Sequence, residues 1–326
     1  MSDSPSQIGA AAPPLESATQ HFVDALAATG APPIHTLPLD AARQVLVRLQ
    51  SGTVGRPAAR VVDTTIPVGP RGVVPARIVR PESGGAKLPV VLYFHGGGWV
   101  LGDARTHGRL LCELANGARA AVVFVDYARA PESRSPSLNE EAYAATRWVA
   151  AHAAELGVDG TRLAVAGDCA GGQLAAGVCR TAKQRRGPKI DFQLLFYPVT
   201  DAGFDTESYA CFADGPWLTR AAMEWAWNAY LPDVAARKEP AASPLQAPLD
   251  ELRGLPDALV ITAESDVLRD EGEAYARKLA EAGVRVTSTR YNGTIHDFVM
   301  LNALADTPAA RGAIAQATSA LRGALE

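Results

Sequence analysis

Two hydrophobic patterns alternate along the chain. Nearly continuous apolar runs occur at LPVVLYF (88–94), AVVFVDY (121–127), RLAVAGD (162–168), DFQLLFYP (191–198) and ALVITAE (258–264). Such runs suit strands buried on both faces, as in a parallel sheet. Between them, THGRLLCELANGA (106–118), LNEEAYAATRWVAAHAAEL (138–156), 170–184 and 270–282 read as helices. A strand, VRVTSTRY (284–291), and a helix near 307–323 close the series. Ahead of it, RVVDTTIPV (60–68) and GVVPARIVRP (72–81) are β-rich and joined by the turn residues GPRG. The pattern predicts an α/β fold: a mostly parallel eight-stranded sheet flanked by helices, with antiparallel strands at one edge.

Two stretches break this rhythm. ESATQHFVDALAAT (16–29) and PLDAARQVLVRLQ (38–50) carry apolar residues at helical spacing before the first strand. Residues 203–245 insert an aromatic, helical segment between two strands. The division predicted is a cap built from residues 1–55 and 203–245, over a core of 56–202 and 246–326.

Composition narrows the function classes. Of 326 residues, 48% are hydrophobic, enough for a large core, and the net charge of −4 argues against a nucleic-acid surface. The basic run AKQRRGPK (182–189) is short and reads as a solvated helix end and loop. No apolar run approaches the ~20 residues that span a bilayer. The first residues, MSDSPSQIGAAAPP, lack the basic and apolar regions of a secretory signal. Cysteines at 112, 169, 179 and 211 have no CxxC spacing, which fits a reducing cytoplasm, and Cys112, Cys179 and Cys211 read as small buried hydrophobes. No metal-binding spacing occurs.

The chemistry gathers at three predicted strand ends, where open α/β sheets place their sites. In LAVAGDCAGGQLAA (163–176) a strand stops at Gly167 and a helix begins after Cys169. This is the frame of the Gly-x-Ser-x-Gly turn of serine hydrolases, with cysteine in the middle. Asp266 follows strand 258–264 and His296 follows strand 284–291. The order nucleophile, acid, histidine fits a triad in which His296 shuttles the proton and Asp266 orients it. After strand 88–94, the three consecutive glycines of the loop HGGGWVLGD (95–103) can point backbone amides at one spot and, with the amide of Ala170, form an oxyanion hole. His95 and Asp168 are expected to brace these loops. Asp270 and Glu271 begin a helix, and charge complementarity with its N-terminus accounts for them. Trp99, Phe204 and Trp217 are the aromatic candidates for the substrate pocket. His21, His35, His107 and His152 have no partner pattern.

His95-Gly96-Gly97-Gly98, Gly167-Asp168-x-Ala170-Gly171-Gly172, DGPW (214–217), SPL (243–245), Asp266-x-Leu268-x-Asp270-Glu271-Gly272 and His296 together resemble the hormone-sensitive-lipase family, in its bacterial carboxylesterase branch. The resemblance covers nearly the whole chain. It implies an α/β-hydrolase fold with a two-part helical cap, no cofactor, hydrolysis of short-acyl esters, and oxyanion donors at Gly97, Gly98 and Ala170. Homodimers are common in that family.

The nucleophile departs from the family. Three readings of Cys169 stand: a working nucleophile forming a thioester, open to acyl transfer to an amine, alcohol or thiol; a serine-to-cysteine change that slows a serine esterase; or an inert buried thiol. The gibberellin receptor, which resembles this family, binds ligand without turnover, having lost the histidine. Here His296 is retained.

Overall fold

The computed structural model describes residues 13–83, 85 and 87–326, so the first twelve residues of the expected cap lie outside the described residues. Eight strands form one sheet: β1 (Ala59–Ile66), β2 (Val74–Pro81), β3 (Leu88–Phe94), β4 (Ala121–Val125), β5 (Val158–Asp168), β6 (Phe192–Phe196), β7 (Asp257–Ser265) and β8 (Val286–Ile295). Their order is β1-β2-β4-β3-β5-β6-β7-β8. β2 pairs antiparallel with both β1 and β4, and every pair from β4 to β8 is parallel. This is the mostly parallel arrangement expected from the pattern, and the α/β-hydrolase architecture that the resemblance implies.

The helices are α1 (Ser17–Ala28), α2 (Leu39–Leu49), α3 (Gly108–Ala118), α4 (Ser137–Ala151), α5 (Ala170–Gln184), α6 (Glu207–Cys211), α7 (Arg220–Tyr230), α8 (Leu249–Leu252), α9 (Arg269–Glu281) and α10 (Pro308–Leu325). Central strands β3, β4 and β6 are buried at every position, which is why their sequences are continuous apolar runs. Each fully buried Val or Leu there contributes roughly 1.5–3 kcal/mol. Edge strand β1 is exposed along most of its length and can carry Arg60, Asp63 and Thr64.

Helices α1 and α2 precede the sheet, and α6 and α7 interrupt it between β6 and β7. Three differences from the sequence pattern matter. α4 ends at Ala151 rather than 156. β8 runs on to Ile295, because after an irregularity in β7 the pairing resumes at Ser265↔Ile295. Cys211 is exposed rather than buried: it is the last residue of the short helix α6, in the insertion between β6 and β7.

Candidate active site

The site is built from the ends of neighbouring parallel strands. Phe94 pairs with Gly167, so the loop leaving β3 emerges beside the turn leaving β5. Ser265 pairs with Ile295, so the next residues of β7 and β8, Asp266 and His296, start side by side. His296 Nδ1–H donates to Asp266 Oδ2 at 2.7 Å, and Asp266 Oδ1 accepts the Leu268 amide at 3.0 Å.

Cys169 occupies the turn between β5 and α5 with φ 51° and ψ −120°. A left-handed conformation in a residue with a Cβ is strained, by about 1–3 kcal/mol, and persists only where the surroundings enforce it. Here they do: the Cys169 amide donates to Phe196 O at 3.0 Å, and its carbonyl accepts from Gly172 N and Val199 N, each at 3.0 Å. The turn fits tightly under the β3 loop. A Cβ on Gly171 would lie 1.9 Å from Phe94 O. Cys169 and His296 are 3% and 1% exposed, so both side chains are buried. Two surface cavities, of about 560 and 290 Å³, lie away from this pair, beside Arg311 and Arg129 respectively.

The glycine loop takes conformations that a side chain opposes: φ is 104° at Gly97 and 59° at Gly98. The Gly97 carbonyl accepts the Val100 and Leu101 amides, while the amides of Gly97, Gly98 and Ala170 have no acceptor among the described residues. Three uncommitted donors therefore lie on the β3 loop and at the turn that carries Cys169.

Asp168 lies wholly buried beneath the loop. Its Oδ1 accepts from Tyr93 Oη at 2.7 Å and from the Gly96 amide at 3.0 Å. Its partner on the other side, His107 Nε2 at 3.3 Å, is a correction to the sequence reading, which gave His107 no partner. The other ring nitrogen, His107 Nδ1, lies 2.8 Å from Thr106 Oγ1, which is also 2.8 Å from Asp103 O. Burial disfavours charge on both partners, but each outweighs it for the other: Asp168 lies below the ordinary carboxylate range and His107 above the ordinary imidazole range. His95 differs. Burial, reinforced by His107, pushes it down to about 3. Its neutral ring stacks on Tyr127 at 4.1 Å, and Nδ1 lies 2.8 Å from Gly96 O.

Two acidic residues near the site hold other parts together. The Asp270 carboxylate accepts the Ser208 amide at 2.7 Å. Glu271 Oε1 accepts the Thr200 and Asp201 amides at 2.7 and 3.1 Å. Glu271 thus ties α9 to the loop after β6 instead of serving its own helix end. Among the aromatic candidates, Trp99 is corrected. It is fully buried, stacked on Tyr230 at 4.1 Å and edge-on to Trp227 at 4.8 Å, and donates its indole N–H to Gln173 at 3.2 Å. Its left-handed backbone puts the ring between α5 and α7, where it packs rather than lines a pocket. Phe204 is half-buried, edge-on to Tyr209 at 5.3 Å. Trp217 donates its indole N–H to Asp297 Oδ2 at 2.9 Å. The sequence reading gave Asp297 no role.

Among the described residues no cluster of His, Cys, Asp and Glu has the arrangement of a metal site, and no helix is long and apolar enough to cross a membrane.

Residues 91–300 match a family model described as the alpha/beta hydrolase fold. Carboxylesterase NlhH of Mycobacterium tuberculosis is 38% identical over 288 residues, covering 88% of this chain and 90% of that protein. Esterase LipI of the same organism is 42% identical over 264 residues, 80% of this chain and 81% of its own. Among solved structures, a thermostable esterase from Pseudomonas putida ECU1011 superposes with a TM-score of 0.94 at 50% identity, covering 97% of this chain and 99% of that one. A serine-to-alanine mutant of the esterase rPPE, in complex with (S)-Ac-CPA, is equally similar, with a TM-score of 0.94.

Proposed function

The chain belongs to the alpha/beta-hydrolase-fold family, and from that premise we propose that it is a carboxylic-ester hydrolase acting on short-acyl esters through Cys169, His296 and Asp266. The observation that carries this reading is the strained turn that presents Cys169 at one strand end, together with a histidine at another strand end already oriented by a buried aspartate.

In this mechanism the Cys169 proton passes to His296 Nε2 and the sulfur attacks the ester carbonyl. The amides of Gly97, Gly98 and Ala170 hold the oxyanion, each worth roughly 3–4 kcal/mol in the transition state. His296 returns the proton to the leaving alcohol, giving a thioester on Cys169. Water, deprotonated by His296, then releases the acid. Asp266 holds the tautomer and stabilises the imidazolium. His95 and Asp168 brace the loop that carries the donors. The helices of 13–55 and 203–245 form the cap, with Phe204 and Trp217 at the pocket. The serine-to-alanine mutant among the related structures supports serine as the nucleophile there, so the thiol is this chain's departure. A thioester also reacts with amines and thiols, which makes acyl transfer the competing outcome at the same intermediate.

Intact-protein mass spectrometry with a p-nitrophenyl short-chain ester, in the presence of an amine, tests the reading. The expected result is a transient acyl adduct on Cys169 that resolves to acid, with any amide formed measuring acyl transfer. A persistent adduct, or none, overturns it in favour of a blocked serine-type site. Replacing His296 by Ala is expected to lower kcat by about 10⁴-fold or more, and undiminished turnover would refute the triad.

A further inference from the structure

Asp297 follows His296, and its carboxylate is split between two tasks. Oδ2 accepts the Trp217 indole N–H at 2.9 Å. Oδ1 lies 3.4 Å from His296 Nε2, and neither atom has a hydrogen-bond partner among the described residues. Asp266 holds the other ring nitrogen, Nδ1, at 2.7 Å. The imidazole therefore stands between two carboxylates, one at each nitrogen. Asp297 is only 9% exposed, so little solvent separates the charges.

A carboxylate close to each nitrogen favours the charged imidazolium over the neutral ring, by hydrogen bond at Nδ1 and by charge at Nε2. A serine nucleophile needs the neutral ring, because Nε2 must take the hydroxyl proton. A thiol can surrender its proton before substrate arrives. We propose that Asp297 is a positioning residue that holds His296 as imidazolium opposite a Cys169 thiolate, so that the enzyme rests as an ion pair suited to sulfur. The proposal rests on Cys169 being the nucleophile. The S–H bond breaks, its proton sits on Nε2 and its electron pair stays on sulfur. The thiolate adds to the carbonyl carbon, and when the C–O bond breaks that proton leaves with the alcohol.

The groups facing this pair come from every side. Cys169 approaches His296 from the turn before α5, and Tyr197, after β6, lies edge-on to it at 4.8 Å. Asp266 is faced in turn by Glu271 and Tyr209. Asp297 is faced by Asp168, His107, Tyr93 and Tyr197; burial, with Asp168, holds its carboxyl above the ordinary range against the pull of His296, Trp217 and His107. Burial is the largest influence on His296 and disfavours charge, yet Asp266, Asp297 and Cys169 together hold its pKa well above the ordinary imidazole value.

The test is the pH dependence of Cys169 alkylation by iodoacetamide, with and without Asp297→Asn. Asn keeps an acceptor for Trp217 and tolerates the left-handed backbone at this position, where φ is 65°. Only the charge is lost. The thiolate limb is expected to move to higher pH, with the rate near pH 6 falling about tenfold for each unit of movement. In a Cys169→Ser background the same substitution is expected to move the acid limb of kcat/KM to lower pH, raising activity near pH 6. A merely structural loss would lower both. Should the Asn variant fail to fold, Asp297→Gly removes the charge while easing the backbone. Profiles that stay put, or fall together, overturn the proposal. NMR titration of His296 separates the two premises. A His296 pKa unmoved by Asp297→Asn refutes the role of Asp297 alone. Esterase activity surviving in Cys169→Ala refutes the nucleophile, and the thiolate with it.

Discussion

Asp168 and His107, 61 positions apart in the chain, meet beneath the glycine loop and decide how firmly it is held. The pair has a pH window with a definite sign. His107 is raised in the folded state, so its contribution is complete below the unfolded value of ~6.5 and is lost as pH rises through the folded pKa. Asp168 is lowered, so its contribution is complete above ~3.9 and is lost as pH falls through the folded pKa. Thermal unfolding should therefore show its highest Tm between these limits. His107→Gln leaves the Asp168 carboxylate buried without its cation and should cost about 3–5 kcal/mol. It should also flatten the alkaline limb of Tm against pH; a variant that keeps the parental limb would show that the pair is not its source.

At the scale of elements, the elbow depends on how closely α5 approaches β3. A Cβ at Gly171 would meet backbone, Phe94 C and O at 2.5 and 1.9 Å, and no side-chain rotation relieves that. Gly177, on the same helix, would meet nothing nearer than Asn139 Nδ2 at 3.8 Å. The two positions should respond oppositely to alanine. Gly171→Ala is expected to cost about 3 kcal/mol or more by forcing the strand and helix apart, with loss of esterase activity. Gly177→Ala should gain about 0.5–1 kcal/mol from helix propensity. Denaturant unfolding of both variants checks the pair, and equal effects would refute the close-approach argument. The frame Gly167-x-Cys169-x-Gly171 was legible in the sequence because local backbone conformation and close packing restrict residue type at adjacent positions.

Across the whole molecule, the segment before the sheet is sewn to the loop that carries His296. Gln50, buried at the end of α2, donates to Thr106 O and Met300 O at 2.8 Å and accepts the Asn302 amide at 2.9 Å. Arg109 of α3 donates to Val299 O at 2.7 Å. Phe22 of α1 meets Trp217 with ring centroids 5.6 Å apart, and Trp217 holds Asp297. Gln50→Ala should therefore destabilise the fold by about 1–3 kcal/mol through the groups left unpaired. It should also lower kcat more than it raises KM, because it loosens the loop bearing His296. Steady-state kinetics alongside thermal melts would check this, and an unchanged kcat would mean that the loop holds without the clamp.

What the sequence alone determined was local and periodic. Continuous apolar runs marked the buried strands, helical spacing marked the layers around them, and strand ends marked Cys169, Asp266 and His296. These features follow from the backbone repeat and from restrictions on neighbouring residues. Tertiary structure decided which side chains meet. The sheet order and register brought Asp266 to His296, the approach of the start of α3 to the end of β5 joined Asp168 to His107, and the insertion between β6 and β7 delivered Trp217 to Asp297. It also turned Trp99 into packing and Glu271 into a tie between α9 and the loop after β6. Such pairings join positions far apart in the chain, and no spacing encodes them, because they depend on how whole elements lie against one another.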